Sequence, residues 1–443
     1  MPTFREAARF WFTLGFINFG WPAGQIALMH RELVERRKWI GEDAFLRALN
    51  FCMLLPGPEA QQLATYVGWR LHGTRGGLVA GICFVLPSVA VLLLLSWLAV
   101  AGADNRVVQS LFYGVQPVVV AIVAEAVLRL GRRAIRHRAL LLVSAAAFVA
   151  IYFLSVPFPL IVLASALAGV LLHTQWPAVF ATSNTRANAA AGPAPPEPAG
   201  TAAPGAARLI KLIAVFVALW LMVVGPVLAL RGSGDVLSQE ALFFTKAAFV
   251  TFGGAYAVLT YVADVAVNDF RWLTADQMVQ GLGLAESTPG PLIMVTQYVA
   301  FLGAWNHAGS NSPLANAVAG SLLTTYVTFL PCFFFILAGA PYIERLTGNA
   351  RLQAALTSIT AAVVGVILNL GVFFASRVLI HPPSAVKVPL ATSRDFLFLE
   401  TTLDLFACVL AVASFVALWR FKLPVHWSVL AGAVLGFLWH LLP

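Results

Sequence analysis

The sequence predicts an all-α polytopic membrane protein made of two inverted-topology repeats with broken or re-entrant helices, and three observations predict it. Of 443 residues, 60% are hydrophobic and only 11% charged, against roughly a quarter charged in a soluble domain. The apolar residues gather in runs long enough to cross a bilayer, which takes about 20 residues. A set of glycines, prolines and a tryptophan occurs twice in one register. The composition excludes a soluble enzyme. The runs leave room for about ten to thirteen membrane segments, all helical, because an open sheet would leave backbone groups unpaired in lipid.

The runs lie near 10–29, 44–69, 77–101, 107–128, 139–155 and 157–173, then near 209–230, 241–262, 278–303, 314–340, 355–376, 396–418 and 425–442. Arg5 and Arg9 precede a first run without a small-residue cleavage site, so it reads as a retained segment rather than a signal peptide. Residues 174–208, rich in Pro, Ala and Gly, read as a flexible cytoplasmic linker between domains 1–173 and 209–443. The net charge of +9 fits arginines anchoring cytoplasmic loops, not nucleic-acid binding. Cys52, Cys83, Cys332 and Cys408 stand singly in apolar runs, so no disulfide framework or zinc site is expected.

The repeat is read residue by residue. Phe19-Gly20 recurs as Phe252-Gly253, Trp39-Ile40 as Trp272-Leu273 and Pro56-Gly57-Pro58 as Pro289-Gly290-Pro291, each 233 positions on. Phe84-Val85-Leu86-Pro87 matches Thr328-Phe329-Leu330-Pro331 at 244 positions, which places extra residues of the second copy near 306–312. Arg129, Arg132, Arg133, Arg136 and Arg138 mark a cytoplasmic loop. Segments 139–155 and 157–173 go out and back, and 209–230 crosses once, so the second copy starts on the opposite face. The 102–106 loop holds one Arg and one Asp, whereas its counterpart at 342–351 carries Arg345 and Arg351, as inversion requires. If 10–29 and 44–69 enter and return as hairpins, more of the 28 Lys and Arg lie inside than if each crosses. Charge therefore favours re-entry, with Glu32 and Glu35 working against it.

Each copy interrupts its apolar runs twice, at NFGWPAGQ (18–25) and LLPGPEAQQ (54–62), and at TFGGAYAV (251–258) and ESTPGPLIM (286–294). Proline removes a donor and clashes with the preceding turn, while glycine admits conformations other residues resist, so these motifs break helices. Breaks at membrane depth persist only beside protein or a water-filled cavity, and paired breaks in two halves point to a transporter's binding site. The alternative is a hinge that only lets helices pack closely. Pro58 and Pro291 suit the first turn of a new half-helix, whose free N–H groups favour an anion. Gln25, Gln61, Gln62 and Gln297 are neutral donors nearby, and Phe19, Gly20, Gly24, Phe252, Gly253 and Gly254 complete the candidate site.

Charged candidates have two readings each. Lys246 and Arg70 supply positive charge to the anion or anchor segment ends. Glu59 and Glu286, beside the Pro-Gly-Pro motifs, couple protons or serve as structural groups at a helix end. Glu125 and Asp404 have no motif context, and the histidines are unclustered, so neither a metal site nor catalysis is expected. No P-loop, H-E-x-x-H or G-x-S-x-G occurs, which leaves a secondary transporter without cofactor.

The stretch FINFGWPAGQIALMHRELVERRKW, continuing to LLPGPEAQQLATYVGWRLHG, and its echo FVTFGGAYAVLTYVADVAVNDFRW with ESTPGPL resemble the chromate ion transporter family. The resemblance implies a two-domain, multi-pass protein of the bacterial inner membrane that exports chromate and confers chromate resistance, with sulfate or another tetrahedral oxyanion as the alternative substrate. A homodimer is compatible with it. The family's Phe-Gly-Gly stretch falls on Phe252, Gly253 and Gly254, with Lys246 before it, and its Y-x-G-x-R stretch falls on Tyr66, Gly68 and Arg70. Thr13 stands where Lys246 does and Leu302 follows where an arginine would, so the expected site is asymmetric, with Arg70 from one half and Lys246 from the other.

Overall fold

The computed structural model describes residues 2–19, 22–176, 206–343, 349–381 and 402–441. Gly20, Arg345 and linker residues 177–205 lie outside them. The first half forms α1 (Phe4–Ile17), α2 (Pro22–His30), α3 (Glu42–Cys52), α4 (Glu59–Ala101), α5 (Arg106–Ala134), α6 (Arg138–Leu154) and α7 (Phe158–Gln175). Then come α8 (Ala206–Arg231), α9 (Val236–Val250), α10 (Ala255–Asp264), α11 (Ala275–Ser287), α12 (Val295–Asn306), α13 (Pro313–Gly339), α14 (Ala350–Val378), α15 (Leu405–Arg420) and α16 (Val425–Leu441). Among the described residues six helices are long and apolar enough to cross a membrane, and four shorter ones are apolar. At least one further run is two half-helices: 10–29 becomes α1, of 14 residues, and α2, of 9.

Local chemistry repeats with the sequence. Both α2 and α10 loosen into a π turn, Arg31–Arg36 and Val265–Asp269. A left-handed residue follows each, Lys38 at φ 52° and Arg271 at φ 54°. The long helices α5 and α14 are both capped by asparagine, Asn105 accepting from the Val107 N–H and Asn349 from the Arg351 and Leu352 N–H groups.

The broken runs turn back on themselves. Trp39 packs edge-on to Phe10 at 5.1 Å, and the Arg37 guanidinium lies 4.8 Å from the Phe10 ring. Had α2 continued forward from α1 at a rise of 1.5 Å per residue, Trp39 would sit about 40 Å beyond Phe10. The second half repeats the contact, with Trp272 5.8 Å from Phe243 and 5.9 Å from Phe244. The run Glu59–Ala101 also doubles back at His72 and Gly73, the latter at φ 62°. Gly68 meets Gly76 there, and Thr65 meets both Gly77 and Gly81, pairings that only an antiparallel hairpin gives. The chain thus folds back on itself as hairpins at these breaks.

The halves then clasp each other. α5 packs on α15 and α16, and α14 packs on α6 and α7. Gly436 approaches Gly114 and the Ser110 carbonyl, while Gly169 approaches Ser358 and the Ala354 carbonyl. These are equivalent positions with the halves exchanged, so one contact serves twice about a pseudo-two-fold axis. A Cβ at any of the three glycines would collide with backbone, which is why small residues carry the close helix approach.

Candidate functional site

The four breaks meet at one crossing. The Gly57 N–H donates to the Thr251 carbonyl at 2.9 Å, and the Gly290 N–H donates to the Asn18 carbonyl at 2.8 Å. Phe19 and Pro289 form an isolated antiparallel bridge beside the second bond. Each Pro-Gly-Pro is thus bonded to the Phe-Gly break of the other half. The glycines are demanded by geometry: Gly57 has φ 125° and Gly290 φ 111°, where L side chains are strained. Added Cβ atoms would lie 2.9 Å from Cys332 Sγ at the first and 2.5 Å from Ser88 Cβ at the second. Ser88 and Cys332 follow Pro87 and Pro331, so the glycine of each half rests on the proline-marked helix of the other.

New helices start from this crossing. α2 begins with Pro22, α4 follows Pro58, α10 follows Gly254, and a short 3-10 turn at Leu292–Met294 follows Pro291 and leads into α12. Pro58, Gly254 and Pro291 provide no side-chain cap. The first-turn N–H groups of these half-helices and their positive dipole ends therefore adjoin the crossing, an arrangement suited to a negative charge.

Side chains close to the crossing are mostly neutral. Gln25, 2% exposed, donates Nε2 to the Gly290 carbonyl at 2.7 Å and to the Asn18 carbonyl at 3.4 Å. Gln62 donates to the Pro56 carbonyl at 2.7 Å. These two expected glutamines brace the backbone. Gln61 turns to Thr65 Oγ1 at 3.2 Å, and Gln297 to the Val89 carbonyl at 2.9 Å and the Thr325 hydroxyl at 3.2 Å. Among the described residues, buried Asn18 has neither side-chain polar atom partnered, and the Ser88 hydroxyl beside Gly290 is also unpartnered. Asn18 opens the NFGWPAGQ motif but was hidden in sequence reading by its apolar surroundings. Pro56, Pro58, Pro289 and Pro291 are buried, Phe252 is half-buried, and Gly253 at φ 78° rests against Val363. Gly254, at φ 97°, and Gly24 face open space, and the Phe19 ring is exposed.

The two cations expected to pair across the site are both exposed side chains. Lys246 is exposed, in line with exposed Leu242 and Phe249, because helical spacing puts it opposite the buried Phe244 and Ala248. Arg70 is exposed at the end of the first limb of α4, just before the bend at His72. The cation the structure brings inward is Arg129, expected only as a loop marker. It lies 3.9 Å from Glu125 and within electrostatic reach of Tyr256 and Glu286. Buried Glu286 accepts a hydrogen bond from the Tyr256 hydroxyl. Half-buried Glu59 feels Arg133, one turn beyond Arg129. The signal for Arg129 was available as the i, i+4 spacing from Glu125 inside an apolar run. A groove of about 690 Å³ opens between α5, α11 and α16, lined by Arg106, Gln109, Tyr113, Gln116, Gln280 and His440. Gln280 sits on the helix that carries Glu286 near its end and leads to the crossing.

Comparison with known proteins places this architecture. The "Chromate transport protein" of Pseudomonas aeruginosa is 30% identical over 430 residues, covering 96% of this chain and 89% of that protein. The "Chromate transport protein" of Cupriavidus metallidurans is 28% identical over 384 residues, 87% of this chain and 86% of that one. The "Probable chromate transport protein" of Synechococcus elongatus is 27% identical over 367 residues, 82% of each. No solved structure matches. The family described as Chromate transporter matches residues 5–170 and 239–437, both sides of the linker, and this multi-pass bacterial membrane protein belongs to that family.

Proposed function

We propose that the chain is a secondary transporter that carries chromate out of the cytoplasm and so confers chromate resistance. The observation that carries the reading is the crossing, where half-helix N-termini from two opposed breaks adjoin buried neutral amides and no carboxylate hydrogen-bonds the two glycines. Backbone N–H groups recognise a dehydrated tetrahedral oxyanion without the tight grip of a contact cation, as a carrier that must release its cargo requires. The relatives' names supply chromate as the anion. Domains 1–173 and 209–443, joined by linker 174–208, act as the two opposed units, in keeping with a family match that breaks at the linker.

Membrane potential suffices as a driving force. One charge moved through 100 mV is worth roughly 2.3 kcal/mol, so expelling a dianion from a negative interior gains about 4.6 kcal/mol. Proton exchange through Glu59 or Glu286 is the alternative drive. Sulfate shares the shape and charge of chromate and competes for the same donors.

The test is uptake of labelled chromate into everted membrane vesicles, under an imposed potential and separately under a pH gradient, with sulfate as competitor. Accumulation driven by either gradient and reduced by sulfate supports the reading. Absence of chromate movement under both overturns it.

A further inference from the structure

The second half buries an acid that neither the crossing nor the Glu286 cluster uses. Glu240, one turn into α9, is 0% exposed, and both its carboxyl oxygens lack a hydrogen-bond partner among the described residues. They occupy a slot formed by two glycines on neighbouring helices: a Cβ on Gly303 of α12 would lie 2.8 Å from Oε1, and a Cβ on Gly320 of α13 would lie 2.5 Å from Oε2. Trp272 closes one side of the slot, against Gly303, and Leu237 and Ala304 lie beside Gly320.

The fold does not need this acid. Its counterpart in the first half, 233 positions earlier, is Ala7, buried in the same kind of hairpin. One half closes the hairpin with a methyl group, and the other with a carboxyl group set between two glycines.

The surroundings define its charge state. Titratable groups on the elements packed against α9 are Arg231 and, at the far exposed end, Arg208 and Lys211 of α8, Tyr256, Tyr261 and Asp264 of α10, Tyr298 of α12 with His307 just beyond it, and Tyr326 and Cys332 of α13. On α9 itself they are Asp235 at the cap and exposed Lys246, and Arg271 precedes Trp272. Of these only Asp235 acts electrostatically on Glu240, and its sign is the same. A carboxylate buried without cation or donor is costly, so the packed slot accepts the neutral acid.

We propose that Glu240 is a proton-binding site: the proton is held while α9 is packed on the α12–α13 hairpin and is released only when the two part. On release the O–H bond breaks, the electron pair stays on the carboxylate and the proton passes to water. Proton binding and hairpin closure are then one event. This deepens the transport reading, since it gives the pH gradient a site separate from Glu59 and Glu286.

Two measurements test it. The first needs no substrate: the infrared spectrum of the purified, reconstituted protein shows a neutral-carboxyl band at pH 7 that Glu240→Gln removes. A spectrum unchanged by the substitution overturns the proposal whatever the protein transports. The second is chromate uptake in everted vesicles. Glu240→Gln, fixed neutral, is expected to lose uptake driven by the pH gradient and to keep uptake driven by potential; full retention of both overturns the coupling. If Glu240→Gln does not insert, Glu240→Asp serves, with a shifted pH profile expected and an unchanged one contrary. Failure of chromate uptake in the unmodified protein would sink the transport reading and leave the infrared result to judge Glu240.

Discussion

Replacing Gly57 by alanine tests whether the crossing is held as described. At φ 125° an alanine is strained, at a cost of about 1–3 kcal/mol. Its Cβ would also lie 2.9 Å from Cys332 Sγ and 2.7 Å from Gln62 Nε2, and overpacking of this kind costs about 1–3 kcal/mol. Gly57→Ala should therefore lose about 2–6 kcal/mol of stability. Cys332→Ala removes the sulfur while leaving the backbone strain, so the double variant should recover about 1–3 kcal/mol and no more. The mirror experiment should behave differently. At Gly290 the blocking atom is Ser88 Cβ at 2.5 Å, which alanine keeps, so Ser88→Ala should not rescue Gly290→Ala by relieving that clash. Thermal unfolding of the purified variants reads the stabilities, and vesicle uptake reads the consequence for transport. Equal stability of Gly57→Ala and the parent would refute the reasoning, as would equal rescue at both sites.

Other outcomes follow from the same geometry. Asn18→Asp places a carboxylate beside the half-helix starts and should abolish chromate uptake with insertion intact, while Asn18→Ala should only weaken it; uptake by the aspartate variant at the parent's level removes Asn18 from the site. Arg129→Gln should reduce uptake far more than Arg136→Gln, since only Arg129 reaches Glu286 and Tyr256; similar losses would make both plain loop anchors. Lys246→Gln and Arg70→Gln, altering exposed side chains, should keep most uptake, and abolition by either would return that residue to the anion.

Much of this was legible because the decisive residues are ones that apolar helices avoid. Pro-Gly-Pro and Phe-Gly stand out against leucine and valine, and their common offset revealed the repeat without any contact information. The turn at His72–Gly73 was legible as the gap between the runs 44–69 and 77–101. Charge favoured hairpins over crossings, and Trp39 beside Phe10 shows the first run folded back. Side-chain direction was not legible to a reading based on spacing from a motif. Lys246 lies one turn before the break, yet Leu242 and Phe249 show that its face points away. Arg129 was absorbed into a basic run, and Asn18 and Glu240 carry no signal beyond being polar in apolar company. Their roles depend on which atoms from the other half, or from neighbouring helices, arrive beside them.

The central claim is that the hairpins enter from opposite faces and meet at the crossing. Single cysteines at Lys38 and Arg271, equivalent left-handed turns at the open ends of the two first hairpins, test it directly when labelled by a membrane-impermeant maleimide in intact cells and in everted vesicles. The account predicts Lys38→Cys labelled only in everted vesicles and Arg271→Cys only in intact cells. Labelling of both from the same side would contradict it.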